Sequence, residues 1–434
     1  MKVNYYDKKI ECMPRNELKA LQGERLKEVV KRVYERVPMY RAKMDAVGIK
    51  PEDIKSIDDI VKLPLTTKQD LRDNYPFGMF ATDKKNIVRI HASSGTTGKL
   101  TVVGYTQRDI DIWTEMVARS LIAMGVTNLS TVHVAFGYGL FTGGLGLHYG
   151  IEKIGATVVP ASSGNTQRQL TLMNDFEADV LCCTPSYAIH LADEIKKNNL
   201  KLPHLKIGVF GAEPWTKEMR ESIEKSFGID AYDIYGLSEI TGPGVSSDCV
   251  YKDGMHINED YFYPEIIDGD TLQPLKQGET GELVFTTLSK EGIPLIRYRT
   301  RDITKLNYEV CQCGRTFVRM EKVFGRNDDM LIIRGANVFP SQIEAVIVDA
   351  SGKVEPHYHI IVDRINNLDV LEIQIEMSPN LFSDEISKIE QVRKQIEFNM
   401  QSMLGLRAKI TLVSPNSLPR SEGKINRVTD RRKL

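Results

Sequence analysis

Between Ile87 and about Ile303, short apolar runs alternate with helical stretches, and this alternation narrows the fold more than any other feature of the chain. Ile87–His91, Thr131–Phe136, Thr157–Val159, Val180–Cys183, Ile207–Phe210 and Ala231–Tyr235 read as strands. Segments such as Asp109–Met124 and Lys217–Phe227 lie between them with helical spacing. A parallel neighbour can be reached only through a crossover, so the pattern predicts βαβ units and a parallel sheet. Around Leu283–Ile303 strands follow one another through turns, which predicts a smaller β-rich portion. Ahead of all this, Leu18, Leu21, Leu26, Val29, Val30, Val33 and Val37 form a helical stripe that Pro38 ends.

The pattern resets after Gly325. Met330–Ile333 reads as a strand and Ser341–Val348 as a helix. Tyr358–Val362 and Leu371–Glu376 read as paired strands around Asn366 and Asn367. Ile386, Ile389, Val392, Ile396, Met400 and Met403 fall on one face of a long helix, and Lys409–Val413 is a last strand. A chain of 434 residues exceeds the ~250–300 at which one core stops growing. The expected architecture is α/β. Residues 1–60 form a helical segment on a large domain, 61–327, with parallel-rich βαβ sheets, and 329–434 form a small, mobile α+β domain.

Composition excludes several classes of function. With 41% apolar and 26% charged residues the chain is neither disordered nor fibrous. Lys plus Arg, 57, nearly balances Asp plus Glu, 58, so bulk charge gives no reason to bind nucleic acid or an anionic membrane. No apolar run is long enough for a transmembrane helix, and the first residues lack the apolar stretch of a signal peptide. Six Cys are too few for a disulfide scaffold, and a cytoplasmic location with reduced or metal-bound thiols is expected.

Ser93-Ser94-Gly95-Thr96-Thr97-Gly98-Lys99 follows the first strand of the alternating region and supplies hydroxyls, glycines and a lysine able to wrap phosphate oxygens. The spacing is not that of a Walker A loop, and a polar turn between two strands is the plain alternative. The glycine-rich run Phe136–Gly146 likewise fails the dinucleotide spacing. It reads as a loop in which Tyr138 and Phe141 face a flat apolar ligand, unless both are ordinary core aromatics. Ile234-Tyr235-Gly236-Leu237-Ser238-Glu239 places a carboxylate at a strand end, where Glu239 suits Mg²⁺ held against phosphates. Tyr298-Arg299-Thr300-Arg301-Asp302 offers a carboxylate flanked by arginines, fit for ribose hydroxyls beside phosphate.

Cys249, His256, Cys311 and Cys313 form a separate constellation. Three thiols and one imidazole make a closed, structural Zn²⁺ set, and Gly314 follows the tight Cys-x-Cys pair. The alternative is free thiols and a surface histidine with no shared role.

These clusters occur in order with Gly325–Asp329 and the tail Gly423-Lys424-Ile425-Asn426-Arg427. The ordered set resembles the adenylate-forming superfamily of acyl-CoA synthetases, adenylation domains and luciferases over most of residues 60–434. Phe262–Ile266, Tyr298–Asp302 and Met330–Gln342 are similar specifically to the phenylacetate–CoA ligase family. The resemblance implies ATP-dependent ligation of an aryl acid to coenzyme A through an acyl-adenylate, with Mg²⁺ as cofactor. It implies a phosphate loop at 93–99 and ATP-pocket walls at Gly211, Ala212, Glu213, Pro214, Tyr235, Gly236 and Ser238. Glu239 would hold Mg²⁺, Asp302 and Arg326 the ribose, Asp328 the hinge, and Lys424 the acyl carboxylate and α-phosphate. It further implies a homodimer. Transfer to a carrier-protein thiol, or a degenerate nucleotide or acyl-CoA sensor, are the competing expectations. Joint retention of Lys424, Glu239 and Asp302 argues against the sensor.

Overall fold

The helix Arg15–Arg36 buries Leu18, Leu26, Val29, Val30 and Val33. It stops at Val37 because Pro38 opens the next helix, Pro38–Ala46. Leu21 is only half-buried, and the polar Gln22 takes a buried place by donating to the Glu259 carbonyl at 2.8 Å. The computed structural model describes residues 3–93, 100–213, 215, 217–327, 330–338, 340–349, 354–366, 368–377, 386–415, 417–418 and 428–432. Two compact units emerge, one of Met1–Ser93, Leu100–Pro185 and Leu191–Asp328, the other of Ser94–Lys99, Ser186–His190 and Asp329–Leu434.

The first unit is organised by a nine-stranded mixed sheet. Its parallel half runs in spatial order Asp230–Leu237, Ile207–Gly211, Val180–Cys183, Thr131–Val134 and Thr157–Val159. Helices such as Gly143–Ile154 and Lys217–Phe227 supply the crossovers. The other half is antiparallel: Gly242–Ser247, Met255–Ile257, Arg319–Met320 and Leu306–Asn307. Apolar side chains from the N-terminal helix, from Gln107–Ala123 and from both halves of the sheet share one core around Trp113, Val117, Val132 and Val209. The expected strand at Ile87–His91 is displaced to Arg89–Ser93. It pairs antiparallel with Thr101–Tyr105 instead of joining the parallel sheet, because the short connection after Ser93 returns the chain directly. A four-stranded antiparallel sheet, Phe262–Ile267, Gly281–Thr287, Tyr298–Thr304 and Gly325–Arg326, forms the β-rich portion.

The second unit has a sheet ordered Lys409–Val413, Leu368–Met377, Val354–Ile365 and Val428–Asp430, with helices Pro340–Asp349 and Ile386–Leu404. Ile365 pairs with Leu368 across the Asn366 turn, and Asn366 takes the left-handed conformation at φ +48°. On the long helix Val392, Ile396 and Met400 are buried beside Ile343, Ile360 and Ile373. Met403 is 40% exposed and Leu404 occupies the buried position in its place, since the helix ends there. Among the described residues, no helix is long and apolar enough to cross a membrane.

Candidate active site

Four segments of the first unit carry those sequence candidates that lie among the described residues. The strand Asp230–Leu237 carries Tyr235 and Gly236 and leads into the turn that holds Ser238 and Glu239. The next strand runs back so closely that a Cβ on Gly236 would lie 1.7 Å from the Gly242 carbonyl oxygen, so only glycine fits. Glu239 is buried, and its carboxylate accepts from Ser93 Oγ at 3.0 Å and pairs with Lys68 Nζ at 3.0 Å. Burial alone would raise its pKa, but the Lys68 charge, with the Ser93 hydroxyl, holds it below the ordinary range. An ionised, buried carboxylate facing Ser93 has the hard oxygen chemistry that Mg²⁺ requires. Ser238 Oγ lies 3.1 Å from Thr142 Oγ1, which ties this turn to the glycine-rich segment.

Asp302 and Arg326 stand opposite each other on adjacent antiparallel strands, Tyr298–Thr304 and Gly325–Arg326. Arg326 Nη1 donates to one Asp302 oxygen, Tyr235 Oη donates to the other at 2.6 Å, and Arg326 Nη2 reaches the Thr300 carbonyl at 3.0 Å. A carboxylate set beside an arginine and a phenol has the acceptor chemistry that vicinal hydroxyls need. Gly211 ends its strand, Ala212 follows in the left-handed region at φ +67°, and Glu213 is buried. A non-glycine residue held there marks a constrained wall at the carboxyl end of a parallel strand.

The glycine-rich segment is loop only to Thr142, for the helix Gly143–Ile154 starts inside it. Tyr138 is half-buried, with Oη 3.3 Å from His148 Nδ1, and Phe141 is 49% exposed. The Leu140 carbonyl between them accepts from Ala92 N at 3.0 Å and contacts His91 Nδ1 at 3.0 Å, which fixes this loop to the strand that ends at Ser93. Ser94, Gly95, Thr96, Thr97, Gly98, Lys99, Pro214, Asp328 and Lys424 lie outside the described residues.

Lys68, Tyr105 and Lys290 belong to this site and no motif pointed to them. Thr67 and Asp70 announce a helix start, since each side chain meets the other's backbone N–H. That signal gives no hint that Lys68, one residue on, reaches Glu239.

The four metal-type side chains converge at a second place in the same unit. Antiparallel pairing sets His256 beside Ser247 and Arg319, so Cys249, just past Ser247, and the loop before Arg319 meet there. Cys249, His256, Cys311 and Cys313 are all buried, and their ligand atoms lie within 4.8 Å of one another. Cys313 Sγ is 3.4 Å from His256 Nε2, and Cys249 Sγ is 3.8 Å from Cys311 Sγ. Gly314, at φ +82°, donates to the Cys311 carbonyl at 2.8 Å and closes the turn. A hydrogen bond from Cys249 and the imidazole of His256 favour the Cys313 thiolate. Burial opposes a charged His256, but Cys311 and Cys313 outweigh it and raise its pKa. Cys12, Cys182 and Cys183 are free cysteines outside this set.

The AMP-binding enzyme family matches residues 18–289, and the AMP-binding enzyme C-terminal domain matches 335–432. A phenylacetate-coenzyme A ligase of Thermus thermophilus is 50% identical over 99% of this chain and 100% of its own. This chain belongs to the phenylacetate–CoA ligase family of AMP-binding enzymes. A second member of that family, from Escherichia coli, is 51% identical over 98% of this chain and 97% of its own. Among solved structures, 2-hydroxyisobutyryl-CoA ligase in complex with 2-HIB-AMP and CoA superposes with a TM-score of 0.94 at 30% identity. The match covers 98% of this chain and 92% of the other. This chain thus has the α/β fold of acyl-CoA ligases, with a large unit of mixed sheets and a smaller C-terminal unit.

Proposed function

We propose that this chain is an AMP-forming acid–thiol ligase that joins phenylacetate, or a closely similar arylacetate, to coenzyme A. The observation that carries the reading is about half identity to phenylacetate–CoA ligases over nearly the whole chain, in a protein that keeps Glu239, Asp302 and Arg326 in one constellation.

The acid must attack the α-phosphorus of ATP, which brings two anions together. Asp302 and Arg326 hold the ribose, while Gly211, Ala212, Glu213, Pro214, Tyr235, Gly236 and Ser238 wall the nucleotide pocket. The segment Ser93 to Lys99 wraps the phosphates through hydroxyls, backbone N–H groups and the lysine. Glu239 is the residue to hold Mg²⁺, which when bound supplies charge neutralisation at the phosphates. Lys424 meets the acyl carboxylate and the α-phosphate, and its charge stabilises the pentavalent transition state. Pyrophosphate leaves, and the acyl group is carried on AMP. The thiol of CoA then attacks the acyl carbon and AMP departs. Lys424 belongs to the first step and a thiol to the second, so a hinge at Asp328 gives each its turn. Tyr138 and Phe141 offer the aryl ring its flat apolar surface.

Cys249, His256, Cys311 and Cys313 fit a structural Zn²⁺, because four soft and borderline donors, all buried, already lie within ligand distance of one another. Four protein ligands leave no open position, so the metal would tie loops together and take no part in ligation. The resemblance carries one further expectation, a homodimer, which is open to sedimentation analysis, and the sparse cysteines carry that of a cytoplasmic location.

A panel of carboxylic acids supplied with Mg-ATP and CoA tests the substrate class. Arylacetates should give thioesters with kcat/KM at least about tenfold above short aliphatic acids, the discrimination of a few apolar contacts. Equal rates across the panel would contradict the assignment.

A further inference from the structure

Lys290 lies outside every motif and is 7% exposed. Its Nζ donates to the Ile240 carbonyl at 2.7 Å and to the Glu239 carbonyl at 3.2 Å, and it sits 4.9 Å from the Tyr105 ring centroid. Tyr105 Oη donates in turn to the Thr241 carbonyl at 2.7 Å and lies 3.4 Å from the Ser238 carbonyl. Two side chains outside the turn Ser238–Thr241 therefore supply donors to three of its successive carbonyls, those of Glu239, Ile240 and Thr241. Inside the turn, both Ile240 N and Thr241 N point to the Leu237 carbonyl.

The segment that bears Lys290 is fixed as well. Asp109, in the first turn of the helix Gln107–Ala123, accepts from Glu291 N at 2.7 Å and Gly292 N at 2.8 Å. Contacts therefore run from that helix to the 290–292 segment, to the Lys290 ammonium, and to the turn that aims the Glu239 carboxylate at Ser93 and Lys68. A buried ammonium is costly, and a purely structural filler here would be apolar. A lysine buried here, with both of its acceptors on the turn, points to a positional requirement on that turn.

We propose that Lys290, assisted by Tyr105, is a positioning residue that sets the Glu239 turn so that its carboxylate meets the Mg²⁺ of Mg-ATP. The inference rests on the reading of Glu239 as the Mg²⁺ ligand. Misplacement of a catalytic group by about 1 Å can cost about 10²-fold in rate. Lys290→Met should therefore lower kcat for pyrophosphate release by about 10–100-fold. It should also raise the Mg²⁺ concentration needed for half-maximal rate, and leave KM for phenylacetate within about twofold.

The deciding experiment is a double-mutant cycle with Glu239→Gln, read both as the Mg²⁺ dependence of ATP binding by calorimetry without acid or CoA and as pyrophosphate release against Mg²⁺ concentration. If Lys290 acts through Glu239, Lys290→Met costs less than about twofold once Glu239 is already changed. Equal losses in both backgrounds would overturn the positioning role while leaving Glu239 as ligand. Wild-type Mg²⁺ dependence in Glu239→Gln alone would remove the ligand reading and the positioning role together. Should Lys290→Met fail to fold by thermal melting, Tyr105→Phe removes one donor with the ring retained. It must show the same coupling to Glu239, in smaller degree, and additive losses would overturn the proposal.

Discussion

Asp302→Asn is the sharpest probe of the nucleotide pocket, because it removes a charge without changing shape. The Asp302 carboxylate accepts from Tyr235 Oη at 2.6 Å and from Arg326, whose side chain is 16% exposed against 9% for Asp302. Solvent screening is therefore small. Hydrogen bonds to a charged partner contribute about 1.5–3 kcal/mol each. Asparagine keeps one acceptor oxygen, so one of the two bonds survives in weakened form and Arg326 loses its counter-charge. The net cost to stability should be about 2–4 kcal/mol, below the 3–5 kcal/mol for removing one partner of a fully buried pair. If Asp302 holds the ribose as proposed, that ligand loses its anionic acceptor as well, a further ~1.5–3 kcal/mol, which is about 10–100-fold in KM for ATP. Pyrophosphate release measured against Mg-ATP at saturating phenylacetate reports that shift, and thermal melting reports the first. A folded variant whose KM for ATP stays within about twofold would reduce Asp302 and Arg326 to a structural ion pair.

Three further outcomes are expected. Purified protein should contain about one zinc per chain by elemental analysis, and Cys311→Ser should lose both metal and thermal stability while kcat per folded molecule barely changes. Metal-free protein prepared without chelator would contradict this. Lys424→Ala should slow pyrophosphate release by about 10²–10³-fold yet leave thioester formation from supplied phenylacetyl-adenylate largely intact. Near-normal release would place the lysine's role elsewhere. Phe141→Ala should raise KM for phenylacetate through loss of ~1–3 kcal/mol of contact, with KM for ATP unchanged, whereas an unaltered aryl KM would remove Phe141 from the pocket.

Legibility in the sequence followed the range of each interaction. Strands such as Thr157–Val159 and Val180–Cys183 were readable because local apolar runs and turn residues set them. The strand pair around Asn366 was readable for the same reason, while its register, with Ile365 opposite Leu368, came from the structure. Arg89–Ser93 was not, since its antiparallel partner is chosen by the length of the following connection and not by its own residues. Asp302 and Arg326 were each legible as motif residues, but their pairing comes from strand register. The Cys and His candidates were legible by chemistry alone, and only the adjacency of three short strands explains why residues 249, 256, 311 and 313 meet. Lys68 and Lys290 stayed hidden. A lysine beside a helix cap or a Ser-Lys-Glu turn looks like any solvated charge until tertiary packing buries it against Glu239.

The central claim is that this chain activates phenylacetate with ATP and passes it to CoA. Its most direct test is product stoichiometry from purified enzyme with phenylacetate, Mg-ATP and CoA, resolved by liquid chromatography and mass spectrometry. Phenylacetyl-CoA, AMP and pyrophosphate should form in equal amounts. With CoA omitted, enzyme-bound phenylacetyl-adenylate should accumulate to no more than about one per active site. Formation of ADP and phosphate, or consumption of ATP with no thioester, would contradict the account.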